Sequence, residues 1–209
     1  MKRMKAKCFI MIGGLACLDF IDTAPLGSPA RIEALHDFGD LLTWLYEEHL
    51  IAGHERRGAW QRWNTGPVAR RAFARALVLR KTLREVVERI LAHRSVPKPA
   101  IAAIRDVLGK LTACWELTRT KTGFVLKFWP RFDEPDQFLG PIVESACDLL
   151  CNRDWSRLKR CANPACGLYF YDSTRNRRRR WCSMRTCGNR MKVAAFHRRQ
   201  RAAQPSLTS

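Results

Sequence analysis

Four of the nine cysteines have the spacing of metal ligands. Cys161 and Cys166 have four residues between them, Cys182 and Cys187 have the same separation, and fifteen residues lie between the two pairs. Two short pairs with a spacer of this size can place four thiolates around one zinc ion, each sulfur about 2.3 Å from the metal. We therefore predict that Cys161, Cys166, Cys182 and Cys187 bind one Zn²⁺. Because four thiolates leave no position for a catalytic water, this zinc should be structural.

Two disulfides or four free thiols are the alternative interpretation of this cluster. The expected compartment is the cytoplasm, where thiols stay reduced, so disulfides are disfavoured. The five other cysteines lie in apolar segments and are predicted to be small buried residues of a reduced protein. They are Cys8, Cys17, Cys114, Cys147 and Cys151.

Basic residues surround the predicted metal site. From residue 152 onward the chain has 15 Lys and Arg against 2 Asp and Glu, so this quarter carries +13 of the net charge of +19. Arginine side chains match phosphate groups and guanine edges, which favours a polyanionic partner. The candidate nucleic-acid contacts are Arg175, Arg177, Arg178, Arg179, Arg180, Arg190, Lys192, Arg198, Arg199 and Arg201.

DNA is the first candidate partner of this basic segment. RNA is an alternative, because Tyr169, Tyr171 and Trp181 could stack on unpaired bases, and a protein-interaction module is another. For Phe170 and Trp181 we favour packing inside the zinc module, since such small units have little else to bury. No apolar stretch approaches the roughly 20 residues of a membrane helix, so no membrane partner is expected.

Local patterns around the cysteines indicate a finger of the treble-clef type. Asn163, Pro164 and Gly167 supply turn residues for a first knuckle. Residues 168–172 are predicted to form a short strand, and residues 177–181 to return beside it as a second strand. Ser183 is predicted to cap a helix that carries Cys187 and runs to about residue 201.

The residues before the finger predict a mainly helical domain. Helical apolar spacing covers residues 34–51, 67–93 and 138–151, and a shorter helix should end near residue 111. Two β-rich segments, 114–120 and 124–129, are joined by a glycine-containing turn and predict a hairpin.

The fold class is therefore α+β, with a mainly helical N-terminal domain that includes a β-hairpin and a small C-terminal treble-clef-like zinc finger. We expect the N-terminal domain to span residues 1–155, the finger 156–202, and a disordered tail 203–209. The N-terminal domain should sense a small-molecule or protein effector, bind a partner, or form a homodimer.

No group of residues in the sequence indicates catalysis. The five histidines are scattered, and none has the spacing of a metal ligand or of a nucleophile's base. Asp19 and Asp22 lie three residues apart and could act as an acid/base pair, but capping or surface roles are expected. We therefore predict a non-enzyme. The basic start and apolar stretch that follows mimic a signal peptide, but that stretch ends at Asp19, so a cytoplasmic, nucleoid-associated location is expected.

The cysteine segment closely resembles the CGNR zinc-finger family, which is named for the tetrapeptide present here as Cys187 to Arg190. The resemblance is carried by residues 161–166, 170–176, 180–184 and 187–192. Residues 13–23 and the following helix resemble the ABATE domain that usually accompanies this finger. Asp22 stands where that family often has Asn.

The resemblance implies a bacterial, stress-induced transcription regulator in which the finger binds DNA and the four cysteines hold zinc. The predicted function is thus zinc-dependent DNA binding in transcription regulation. The alternative is an RNA- or protein-interaction zinc module without sequence-specific DNA binding.

Overall fold

The computed structural model of the protein describes residues 9–24 and 33–203. Most of this chain is helical. The helices are α1 (Ala16–Ile21), α2 (Phe38–Glu47), α3 (Gly53–Trp63), α4 (Gly66–Leu91), α5 (Lys98–Leu108), α6 (Gly140–Asn152) and α7 (Asn189–Ala203). The strands are β1 (Thr112–Thr120), β2 (Gly123–Arg131), β3 (Leu158–Arg160) and β4 (Tyr169–Tyr171). The predicted α+β class is confirmed.

Helix α4 is the longest element of the N-terminal region, and its apolar stripe lies in the core. Pro67 occupies its first turn, where a missing N–H costs nothing, and Leu79, Leu83 and Val87 are buried on its inner face. The short helix α1 packs against α4, α6 and strand β4. Since Cys17 to Ile21 are all buried, α1 is a core element that joins the two parts of the chain.

The β-hairpin predicted from the sequence is present in the structure. Strands β1 and β2 pair antiparallel from Thr112↔Arg131 to Thr120↔Gly123. All residues of both strands are exposed, so the hairpin projects from the helical body. The prediction that Cys114 is buried is therefore wrong. It is also wrong for Cys151, which is exposed in the last turn of α6, whereas Cys17 is buried, Cys147 is half-buried and Cys8 lies outside the described residues.

The strand predicted at residues 177–181 does not form. Instead β4 pairs antiparallel with β3, with Lys159 opposite Phe170. Residues 177–181 are irregular, and side chains hydrogen-bond to their backbone where a strand partner was expected. Asp172 accepts the Arg179 N–H at 2.9 Å, and the Lys159 ammonium donates to the carbonyls of Arg177 and Arg179.

The helix of the finger begins differently from the prediction. Ser183 occupies the cap position, but its side chain makes no capping hydrogen bond. One π-helical turn, Met184–Gly188, comes first and carries Cys187, and α7 follows directly. Helix α7 reaches Ala203, and residues 204–209 of the predicted tail lie outside the described residues. Within the described chain no helix combines the length and apolar composition needed to cross a membrane.

The core packing on α4 can be tested with two neighbouring residues. Replacing Leu79, which is buried, with Ala should lower the free energy of unfolding by about 2–5 kcal/mol, because a cavity is left. Val78→Ala, on the exposed face of the same turn, should change it by less than about 0.5 kcal/mol. Urea denaturation of both variants measures the difference, and equal effects would contradict the placement of α4.

Candidate metal centre

The four predicted ligands come together in the structure. The sulfurs of Cys161, Cys166, Cys182 and Cys187 all lie within 4.8 Å of one another, and all four residues are buried. Cys182 Sγ is 3.5 Å from Cys166 Sγ and 3.7 Å from Cys187 Sγ. Around a tetrahedral zinc with bonds of about 2.3 Å, neighbouring sulfurs would be about 3.8 Å apart. The cluster therefore has the size and donor set of one structural zinc, and the predicted cofactor is supported.

The first knuckle is shaped by a turn between Cys161 and Cys166. The Cys166 N–H donates to the carbonyl of Asn163, and the Asn163 side chain accepts the N–H of Ala165. Gly167 then adopts a φ of +69°, a conformation that other residues rarely take, and turns the chain towards β4. The Cys161 N–H donates to the Leu168 carbonyl at 2.8 Å and closes the turn.

The second knuckle lies between Cys182 and Cys187. The π-helical turn is closed by the Gly188 N–H, which donates to the Ser183 carbonyl at 3.0 Å. Two N–H groups also point at the sulfurs: Asn163 Nδ2 lies 3.4 Å from Cys187 Sγ, and the Cys182 backbone N lies 3.4 Å from Cys161 Sγ. Such donors favour the thiolate form, which is the form that binds a metal.

The thiols of the cluster influence one another's ionisation. A hydrogen bond from Cys182 lowers the pKa of Cys166 to about 5, and the same bond, with burial, raises the pKa of Cys182 far above its ordinary value. Burial also raises the pKa of Cys161. Binding of a divalent metal to such thiols displaces the protons that they carry.

The finger is hydrogen-bonded to residues that flank helix α1. The carboxylate of Asp22 accepts the backbone N–H of Tyr169 at 3.2 Å, and the Gly13 carbonyl accepts that of Tyr171 at 2.7 Å. Asp19 accepts the N–H groups of Ile12 and Gly13 at 2.7 and 2.8 Å, which fixes the segment before α1. Both aspartates are buried, so the expected surface role is wrong; they cap backbone N–H groups at the junction with the finger.

The aromatic residues of β4 are part of the core. Tyr169 and Tyr171 pack into the main hydrophobic cluster, and the Tyr169 hydroxyl donates to Glu88 of α4. Phe170 packs on the other side with the cysteines, and Trp181 is half-buried beside them, as expected. The base stacking considered for Tyr169 and Tyr171 under the RNA alternative is not available to side chains in these buried positions.

One of the predicted nucleic-acid contacts, Arg179, makes contacts within the protein. The guanidinium of Arg179 lies 4.3 Å above the Phe170 ring and donates to the carbonyls of Ile12 and Cys182. Arg179 is half-buried and connects the finger to the segment before α1. The sequence does not distinguish Arg179 from the neighbouring arginines at 177, 178 and 180, so this role could not be predicted from it.

The other predicted basic contacts that the structure describes are exposed. They are Arg175, Arg177, Arg178 and Arg180 before the second knuckle and Arg190, Lys192, Arg198 and Arg199 on α7. The side chain of Arg201 lies outside the described residues. Arg185, exposed on the π-helical turn between two ligands, was missed by the sequence analysis, although its position between Cys182 and Cys187 could have indicated it.

The fold and the cluster define a class of protein: a helical domain joined to a small four-cysteine zinc finger. Comparison with protein families agrees with this class. The model of the CGNR zinc finger matches residues 157–200. The model of the ABATE family, described as a putative stress-induced transcription regulator, matches residues 14–153, so the chain belongs to that family. No curated protein matches the chain.

The ligand assignment can be tested by replacing one cysteine. Cys182→Ser should release zinc and unfold the finger, because a three-thiolate site cannot close the coordination shell. Metal analysis of reduced protein should fall from one zinc per chain to well below one. Cys151→Ser, at an exposed position on α6, should keep the metal. Full zinc content in Cys182→Ser would refute the assignment.

The junction between α1 and the finger can be tested at Asp22. Asp22→Ala leaves the buried Tyr169 N–H without the carboxylate acceptor, so the free energy of unfolding should fall by about 1–3 kcal/mol. Asp22→Asn keeps an acceptor oxygen and should lose much less. Hydrogen exchange at the Tyr169 amide should accelerate in the Ala variant only; equal exchange in both would show that the carboxylate does not hold this strand.

Proposed function

We propose that the protein is a zinc-dependent DNA-binding transcription regulator whose exposed arginines contact the phosphate backbone. The observation that carries this proposal is the charge around the metal centre. Basic side chains extend from the segment before the second knuckle, through the π-helical turn, to α7. A surface of this sign neutralises phosphates and releases counterions on binding.

The proposed role of zinc is to hold this basic surface in one shape. The segment from Arg175 to Arg180 has no backbone ladder, so it depends on Asp172 and Lys159 and on the cysteine that follows it. Burial raises the pKa of Asp172, but hydrogen bonds from Lys159, Thr174 and backbone N–H groups reverse this and hold it far below the ordinary value. The carboxylate therefore stays charged and keeps the segment folded towards the metal centre.

Duplex DNA is favoured over unpaired RNA as the partner. Of the three aromatic residues considered for base stacking, both tyrosines of β4 are buried and Trp181 is half-buried beside the cysteines. Helix α7 begins two residues after Cys187, and its exposed basic residues belong to an element of the right width for a major groove. Phosphate contacts from arginines on both sides of the metal centre would position this helix.

The N-terminal domain would couple DNA binding to a signal. Its contact with the finger through α1 offers a direct route, because any shift of Asp22 moves the N–H partner on β4. A groove of about 260 Å³ between α4 and α5, lined by Val78, Leu79 and Val107, is a candidate effector position.

The proposal includes a non-enzymatic role, a cytoplasmic and nucleoid-associated location, and stress response by family membership.

The salt dependence of DNA binding tests the proposed surface. Replacing Arg177, Arg178 and Arg180 together with Gln should weaken binding and flatten the slope of log affinity against log salt by up to about 0.9 per lost phosphate contact. Arg179 is left intact because it supports the fold. Zinc content shows that the variant keeps its finger.

A second triple variant provides the control for charge. Arg70, Arg71 and Lys81 are exposed on α4, and their replacement by Gln removes the same total charge from the N-terminal domain. The control should leave the salt slope nearly unchanged. Equal slopes in both triple variants would show that the binding surface lies outside the finger. In a separate competition at fixed salt, stronger competition by structured RNA than by duplex DNA would favour RNA as the partner.

A further inference from the structure

The β1–β2 hairpin has one strongly apolar face. Its register pairs Trp115 with Phe128 and Leu117 with Leu126, and residues opposite each other in a ladder share a face. Because side chains alternate along each strand, the same face receives every second residue. The apolar hairpin face consists of Ala113, Trp115, Leu117, Phe124, Leu126, Phe128 and Pro130, with Arg119 as its one charged member.

The described part of the chain leaves this face open to solvent. Trp115, Leu117 and Phe124 are each about two-thirds exposed, at 66%, 65% and 68%. A lone two-stranded hairpin is only marginally stable in water, and an apolar patch of this kind usually marks an interaction site. The opposite face is more polar, because it carries three threonines, Glu116, Lys127 and Arg131 beside Cys114, Val125 and Trp129.

We propose that the apolar hairpin face is the interface of a homodimer, in which the hairpin of a second copy packs against it in the opposite direction. The five largest side chains of the face expose about 600 Å² per copy, from the usual area of such residues. Two copies would then bury about 1,200 Å², the lower end of the range for specific interfaces, before the flanking residues are counted.

Charge complementarity supports a second copy as the occupant. Arg119 lies near the tip of the hairpin beside Phe124. At the root, a groove of about 500 Å³ is lined by Ala113, Phe128 and Pro141 and by two charged residues. Arg131 is ion-paired with Asp133 at 2.9 Å, so the exposed Glu144 of α6 supplies the excess negative charge there. When two hairpins pack in opposite directions, the apolar, basic tip of each meets the apolar, acidic root of the other. A twofold axis repeats this contact twice, as an isologous interface requires.

The same charges argue against a lipid surface. A bilayer with anionic headgroups would attract Arg119, but the face that enters it would also bring Glu144 to the headgroups, where like charges repel. In the dimer both charges find a partner of opposite sign. The dimer interface involves none of the finger's exposed arginines, so it is independent of the proposed DNA contacts.

Self-association without DNA tests the proposal. Light scattering and sedimentation of zinc-loaded protein at micromolar concentration should give the mass of a dimer. Leu117→Glu places a charge inside the interface and should raise the dissociation constant at least about 100-fold, to a monomer at these concentrations. Thr118→Glu adds the same charge one residue away, on the opposite face, and should remain dimeric.

Charge reversal separates a specific interface from a damaged hairpin. Arg119→Glu and Glu144→Arg should each weaken the dimer, whereas the double variant should restore it, because the two charges then face each other with their signs exchanged. The arginine triple variant of the finger should be as dimeric as the unmodified protein. That result would make a failed DNA-binding test distinguishable from a failed dimer test.

Three results would overturn the proposal. The unmodified protein could be monomeric over the whole concentration range. Leu117→Glu could be as dimeric as the unmodified protein, which would place the interface elsewhere. Alternatively, monomeric protein could bind vesicles of phosphatidylglycerol and phosphatidylcholine through Leu117, which would make a membrane the occupant of the face.

Discussion

The C-terminal part of the molecule depends on four sulfur atoms that meet in a buried space. The side chains that pack with them are few: Leu168, Phe170, Trp181 and Ile12. Such a cluster buries too little apolar surface to hold two knuckles and an irregular basic segment by itself. The distances between the sulfurs match those around one tetrahedral zinc, and binding of this ion would supply folding free energy that the small apolar cluster lacks. The basic segment between the two cysteine pairs is anchored at both ends by this cluster and in its middle by Asp172 and Lys159.

The finger is also built into the N-terminal domain. Leu158, Tyr169 and Tyr171 belong to the main hydrophobic core, and Asp22 and Gly13 supply hydrogen-bond partners to β4. The predicted boundary at residues 155 and 156 falls inside a short 3-10 turn, Trp155–Arg157, which leads directly into β3. The two family matches therefore describe sequence units that share one core in space.

Features set by local sequence could be predicted, and features set by distant contacts could not. The cysteine spacing and the amphipathic helices depend on residues a few positions apart, and the structure agrees with them. The pairing of β4 with β3 involves three residues before the first cysteine, which have no distinct strand pattern. The structural role of Arg179 depends on Ile12, far away in sequence, so nothing in the arginine run indicates it. Cys114 was misjudged because its apolar neighbours lie on a projecting hairpin and not in the core.

The contribution of β4 to the main core means that the finger closes one side of the helical domain. Chelation of the metal would then loosen Tyr169 and Tyr171 and expose core residues of α1 to solvent. Cellular proteases degrade chains in proportion to the population of such opened forms. The lifetime of the protein should therefore depend on zinc supply, and scarcity of the metal would reduce its abundance.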